Sequence, residues 1–198
     1  MATKGGALRL MMKSVFRPAA GLLAAAISTL AMLAAAPVPA MAQAAHESAA
    51  GVMIGPVSGL PVPRFVSLKA SKVYVRRGPT KDHPVAYIYR RAGEPVEITA
   101  EYDNWRRIRD SEGAEGWVWH SLLSGRRTAL VAPWSKDAAL PIHVSAGGDS
   151  RTSARLEPKV LVEVRRCDGA WCRVEGDGFD GWIEQERLWG VYPGERFD

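Results

Sequence analysis

Cysteine is scarce in this chain of 198 residues, where only Cys167 and Cys172 occur. Two thiols cannot complete a structural zinc set, and their spacing departs from the two-residue gap of redox dithiols. Histidine is nearly as rare: His46, His83, His120 and His143 are scattered, with no i, i+4 pair and no cysteine beside them, so metal-ligand spacing is absent. No metal and no cofactor is expected. After residue 42 no run reaches the roughly 20 apolar residues a membrane span requires. After residue 65 no stretch sustains a helical period over three turns, which excludes a helical bundle.

Acid is missing from residues 1–42, which hold Lys4, Arg9, Lys13 and Arg17 and are almost wholly apolar from Ala19 to Ala36. Pro37 and Pro39 end that stretch, and Ala40-Met41-Ala42 places small residues one and three positions before a cut after Ala42. This is the pattern of a cleaved secretory signal peptide, and it predicts a periplasmic or secreted protein with no stable membrane anchor after cleavage. Removing these four cations from the 26 Lys and Arg leaves 22 against 21 acids, so a formal charge of +5 falls to +1. A nucleic-acid partner, which needs a surplus of cations, loses its support. Residues 43–64 are rich in Ala, Gly, Pro and Ser and read as a flexible leader.

The remainder repeats itself. Gly116-Trp117-Val118 recurs as Gly181-Trp182-Ile183, and Leu123-Ser124-Gly125 as Leu188-Trp189-Gly190, both offset by 65; Trp105-Arg106-Arg107-Ile108 matches Trp171-Cys172-Arg173-Val174 at 66. Further upstream, Val96-Glu97-Ile98 aligns with Val160-Leu161-Val162 at 64, and Val73-Tyr74-Val75 with Ile142-His143-Val144 at 69. Two units are expected, 65–125 and 126–198. Alternating β-rich segments broken by turn residues about every 10 positions predict an all-β protein built from two tandem small barrels.

Several motifs carry apparent chemistry. Gly176-Asp177-Gly178-Phe179-Asp180-Gly181 has the glycine spacing of a dinucleotide loop, but Trp182-Ile183 continue it as a strand rather than a helix, so a hairpin turn is the expectation. A weak cation site on Glu175, Asp177 and Asp180 is the lesser reading. His120-Ser121 lacks a nucleophile elbow and reads as a surface turn. Cys167 and Cys172 bracket Asp168-Gly169, a two-residue turn signal; in a tight hairpin Cys167 would face Ala170 with Cys172 diagonal, and in an oxidising compartment a structural disulfide is expected.

The order Val73-Tyr74-Val75-Arg76-Arg77-Gly78-Pro79, Gly93-Glu94-Pro95-Val96, Trp105-x-x-Ile108 and Gly116-Trp117-Val118 resembles the bacterial SH3-like domain across essentially all of the first unit. The second unit resembles the same domain with Ser145-Ala146-Gly147-Gly148 in place of the Arg-Arg-Gly-Pro turn. The resemblance implies a non-catalytic binding module of the cell envelope whose partner is peptidoglycan or, alternatively, another periplasmic protein for which it acts as an adaptor. It also places Tyr74, Arg76 and Arg77 on the long first loop that borders the ligand groove of such domains. The paired residues Trp105 and Trp171, Gly116 and Gly181, and Trp117 and Trp182 read as the shared structural core or groove floor. Trp119 differs: its counterpart is Glu184, and an aromatic present in one copy only is a candidate for the ligand surface.

Overall fold

The computed structural model describes residues 52–136 and 139–198; the expected signal peptide, and the leader up to residue 51, lie outside them. Strands β1 (Met53–Ile54) and β2 (Pro61–Val62) form a short antiparallel ladder. The first sheet follows, from β3 (Arg64–Leu68), β4 (Val73–Arg76), β5 (Val85–Tyr89), β6 (Pro95–Tyr102), β7 (Trp105–Arg109), β8 (Glu115–Trp119) and, after a 3-10 turn at His120–Leu122, β9 (Leu123–Ser124). The second comprises β10 (Thr128–Val131), β11 (Leu140–His143), β12 (Thr152–Leu156), β13 (Leu161–Asp168), β14 (Trp171–Gly176), β15 (Phe179–Glu184), a 3-10 turn at Gln185–Arg187, β16 (Leu188–Trp189) and β17 (Arg196–Phe197).

The protein is all-β, and the two sheets are copies of one plan. Their strand orders are β5-β4-β8-β7-β6-β3-β9 and β12-β11-β15-β14-β13-β10-β16, with β17 added beside β13. Each order runs with β5 and β12 at one end and β9 and β16 at the other. No helix among the described residues is long and apolar enough to cross a membrane.

Alternation explains each core. In β4, Val73 and Val75 are fully buried while Tyr74 between them is 43% exposed; they meet Val96, Ile98, Ile108 and Val118 from the neighbouring strands. In the second sheet, Ile142, Val162, Val164, Val174 and Ile183 do the same. Both sheets carry a register shift at equivalent points, between Ile98 and Ala100 in β6 and between Val164 and Arg166 in β13.

The ladders correct two repeat offsets. Gly116 packs against Val75 and the Arg76 carbonyl, and Gly181 against Ile142 and the His143 carbonyl, so Arg76 corresponds to His143 at an offset of 67, not 69. Ile98 faces Ile108 as Val164 faces Val174, which makes that offset 66, not 64. Both misreadings are shifts of two residues, which leave the inward and outward alternation of a strand unchanged and so escape a pattern reading.

The structure differs from the flexible-leader expectation over its described part. The side chain of Glu101, near the end of β6, is wholly buried, and it accepts hydrogen bonds from the Val57 amide (3.1 Å), the Ser58 amide (2.9 Å), the Ser58 hydroxyl (2.6 Å) and Arg64 (2.9 Å). That carboxylate fastens the turn between β1 and β2. The leader reading missed it because the anchoring acid lies over 40 residues away in sequence.

The two repeats pack as one unit. Phe65 meets Trp189 edge-on at 5.2 Å and Tyr192 at 4.7 Å, and the Tyr192 hydroxyl donates to Glu97 at 2.9 Å. Burial first, and then the Glu97 charge, push the Tyr192 pKa up, which keeps its proton on the donor. Thr128 donates to the Gly93 carbonyl at 2.7 Å across the same junction.

Candidate functional site

Strand β8 alternates Gly116 and Val118 inward with Trp117 and Trp119 outward, and the antiparallel register sets Trp119 directly opposite Trp105 on β7. Their rings meet edge to face at 5.3 Å. Tyr74 and Arg76 of β4, Lys81 of the following loop and Leu122 of the 3-10 turn complete the walls of a cavity of about 190 Å³. Three of the four residues singled out for a ligand surface therefore come together: Tyr74, Arg76 and Trp119. Arg77 does not, because it is exposed and absent from the lining, with its amide held by the Pro84 carbonyl at 3.1 Å. Arg76 is the last residue of β4 and Arg77 the first of the loop beyond it, where its side chain stands in solvent.

The loop is ordered by its own chemistry. Arg76 Nη1 donates to the His83 carbonyl at 2.7 Å, and His83 Nδ1 lies 2.8 Å from the Thr80 hydroxyl. The His83 ring packs onto Gly78, where any side chain would collide with it. Lys81 Nζ stands 5.8 Å from the Trp119 ring centroid, and Lys72 Nζ 5.1 Å from that of Tyr74. The hydrogen bond and charge of Lys72 lower the Tyr74 pKa. The cavity thus has aromatic walls and a cationic rim, with no acid in its lining. The sequence reading missed Lys81 and Leu122, although Trp119 led to the neighbourhood of both.

The repeated motif residues divide by role. Gly116 and Gly181 are spacers: a Cβ at either would lie 2.9 Å from a backbone carbonyl of the crossing strand. Trp105 is buried and Trp117, Trp171 and Trp182 are half-buried, and all four stand outside the two apolar clusters. Trp117 and Trp182 sit on the outer face because Gly116, Val118, Gly181 and Ile183 take the inward positions of their strands; the Arg166 guanidinium lies 4.7 Å from the Trp182 ring centroid.

Cys167 and Cys172 are joined in a disulfide, and they face each other directly rather than diagonally. The loop is still two residues, but they are Gly169 and Ala170 rather than Asp168 and Gly169, and Asp168 Oδ1 braces it by accepting from both the Ala170 amide (2.9 Å) and the Trp171 amide (2.8 Å). Those bonds, the Trp171 amide foremost, hold its carboxyl below the usual range. Gly176 pairs with Phe179 around Asp177-Gly178, so the glycine-rich motif is a hairpin turn. Nearby, Asp180 is paired with Arg173 and Glu175 with Arg165, and no metal-binding group of three acidic, His or Cys residues exists among the described residues. No hydrogen bond joins His120 to Ser121 among the described residues.

A family model described as the bacterial SH3 domain matches residues 69–125 and 136–190. No curated protein matches the chain. Among solved structures, it is similar to NlpC2 of Trichomonas vaginalis, at 14% identity over 66% of this chain and 48% of that one, with a TM-score of 0.31. NlpC1 of the same organism gives 14%, 68%, 48% and 0.30, and an NlpC/P60 family protein from Bacillus cereus gives 9%, 63%, 55% and 0.28. The chain spans about half the length of these structures.

Proposed function

The chain belongs to the bacterial SH3 domain family and carries two copies of the domain in tandem, and on that premise we propose that it is a non-catalytic binding module of the cell envelope that holds peptidoglycan in the first-domain cavity. The observation that carries this reading is the make-up of the cavity: Tyr74, Trp105 and Trp119 offer aromatic surface, and Arg76 and Lys81 stand beside it without an opposing acid in the lining. Aromatic faces suit sugar or apolar surface, and a guanidinium pairs with carboxylates of the kind borne by wall peptides. Arg76 keeps part of its guanidinium for such a partner, because the His83 carbonyl occupies only Nη1. In this reading the chain is exported, acts in the periplasm or outside the cell, and uses no cofactor.

Sedimentation of the purified protein with isolated peptidoglycan tests the proposal. Trp119→Ala should weaken binding by about 2 kcal/mol, as loss of an anchoring aromatic does. Arg77→Ala, outside the cavity, should leave it nearly unchanged. Absence of co-sedimentation, or equal losses from the two substitutions, would refute it. A second reading, an adaptor for another envelope protein, is favoured by the exposed side chains of Met53, Ile54, Val57 and Leu60 on the anchored hairpin.

A further inference from the structure

The second domain repeats the cavity of the first at the equivalent place with different chemistry. Trp171 faces Glu184 across β14 and β15 as Trp105 faces Trp119 across β7 and β8. Together with Leu140, His143, Ile183 and Arg187 these residues line a cavity of about 210 Å³. Four substitutions distinguish the pair: Glu184 stands in the place of Trp119, His143 in that of Arg76, Arg187 in that of Leu122, and Pro141, which removes one aromatic wall, in that of Tyr74.

Each change has a consequence for what the cavity can hold. Arg76 ties its loop by donating to the carbonyl seven residues on, and His143 makes the same tie, with Nδ1 2.7 Å from the Ser150 carbonyl. A carbonyl only accepts, so Nδ1 carries the hydrogen, and in the neutral ring Nε2 is left as an acceptor where the first domain has a guanidinium donor. Glu184 adds a second acceptor. Its Oε2 receives Arg187 Nε at 3.2 Å, while Oε1 receives no hydrogen bond among the described residues. That ion pair is nearly half exposed on both sides and holds little energy, and Glu186 lies 3.8 Å from the same guanidinium. The lining of this cavity therefore pairs one carboxylate with one cation, where that of the first domain holds two cations and no acid. Trp171, with the His143 ring edge-on at 5.6 Å, supplies the aromatic wall.

We propose that the second domain is a separate ligand site that takes a primary ammonium group on a short aliphatic or peptide stem, with Glu184 Oε1 and His143 Nε2 as acceptors and Trp171 as the wall beside the charge. Acceptors beside an aromatic ring recognise ammonium and reject carboxylate. The site is independent of the reading given for the first domain.

Two titrations of the ¹⁵N-labelled protein, followed through its indole N–H signals, test the proposal. With n-butylammonium chloride the Trp171 signal should shift and saturate at about the millimolar level. With sodium butyrate it should not move. Glu184→Gln, half-exposed and free of core packing, should weaken the butylammonium response about three- to fivefold, and Arg187→Gln, by removing the cation that competes for Glu184, should strengthen it. An unmoved Trp171 signal, equal shifts with both probes, or an undiminished response in Glu184→Gln would each overturn the proposal. Shifts at Trp105 and Trp119 with butyrate report on the first domain alone, so failure at either site is recognised separately.

Discussion

Replacing Glu101 by Gln removes one negative charge from the point where the β1–β2 turn is fastened to the first sheet. Burial alone would raise the pKa of this carboxyl, but the Ser58 hydroxyl and amide, Arg64 and the Val57 amide together hold it down at about 2, against an ordinary 4.5. That difference corresponds to about 3 kcal/mol of preference for the charged form in the folded chain. Its side chain is fully buried, so solvent screening does not reduce the figure much. The sign follows from a folded pKa that is depressed: the contribution is fully present above pH 4.5 and is lost as the pH falls towards 2. At pH 7 the Gln variant should be about 3 kcal/mol less stable than the parent, since Arg64 and Arg106 are left without their buried partner. Near pH 2.5 most of that difference should vanish. Urea unfolding at both pH values measures the gap, and hydrogen exchange at the Val57 and Ser58 amides shows whether the hairpin opens before the rest. A difference below about 1 kcal/mol at pH 7, or one that does not change with pH, would show that Glu101 is not the fastener.

Replacing both Cys167 and Cys172 by Ala should cost less than the ~3 kcal/mol associated with a 15-residue loop, because the closed loop is short; a chain that no longer folds, or free thiols titrating in the unreduced parent, would contradict this. Gly116→Ala should lose about 2 kcal/mol by denaturant unfolding, because the added methyl group meets the Arg76 carbonyl and the backbone must shift to admit it; an unchanged midpoint would mean that the β4–β8 crossing yields easily. Protein recovered from a periplasmic extract should begin at Gln43-Ala44-Ala45; an intact chain in the membrane fraction would rule out cleavage after Ala42.

Periodicity along the chain was enough to read the β class, the duplication and the hairpin at Asp177-Gly178, because these depend on neighbours within a few residues. The Gly-Trp pairs marked the repeat, since a strand crossing that needs a glycine and an outward tryptophan leaves both in sequence. Asymmetry at Trp119 was also visible, and it led to the cavity that Tyr74 and Arg76 share.

Only the tertiary structure decided matters of register and reach. The true correspondence of Arg76 with His143 needed the ladder, because a two-residue slip preserves every inward side chain. The same ladder separated Arg76 from Arg77, set Cys167 opposite Cys172, and matched the Glu184 cavity to the one beneath Trp119. Glu101 and the Tyr192–Glu97 contact between repeats join residues 43 and 95 positions apart. Nothing local marks such partners: a carboxylate reads as surface until the fold brings donors to it and excludes water.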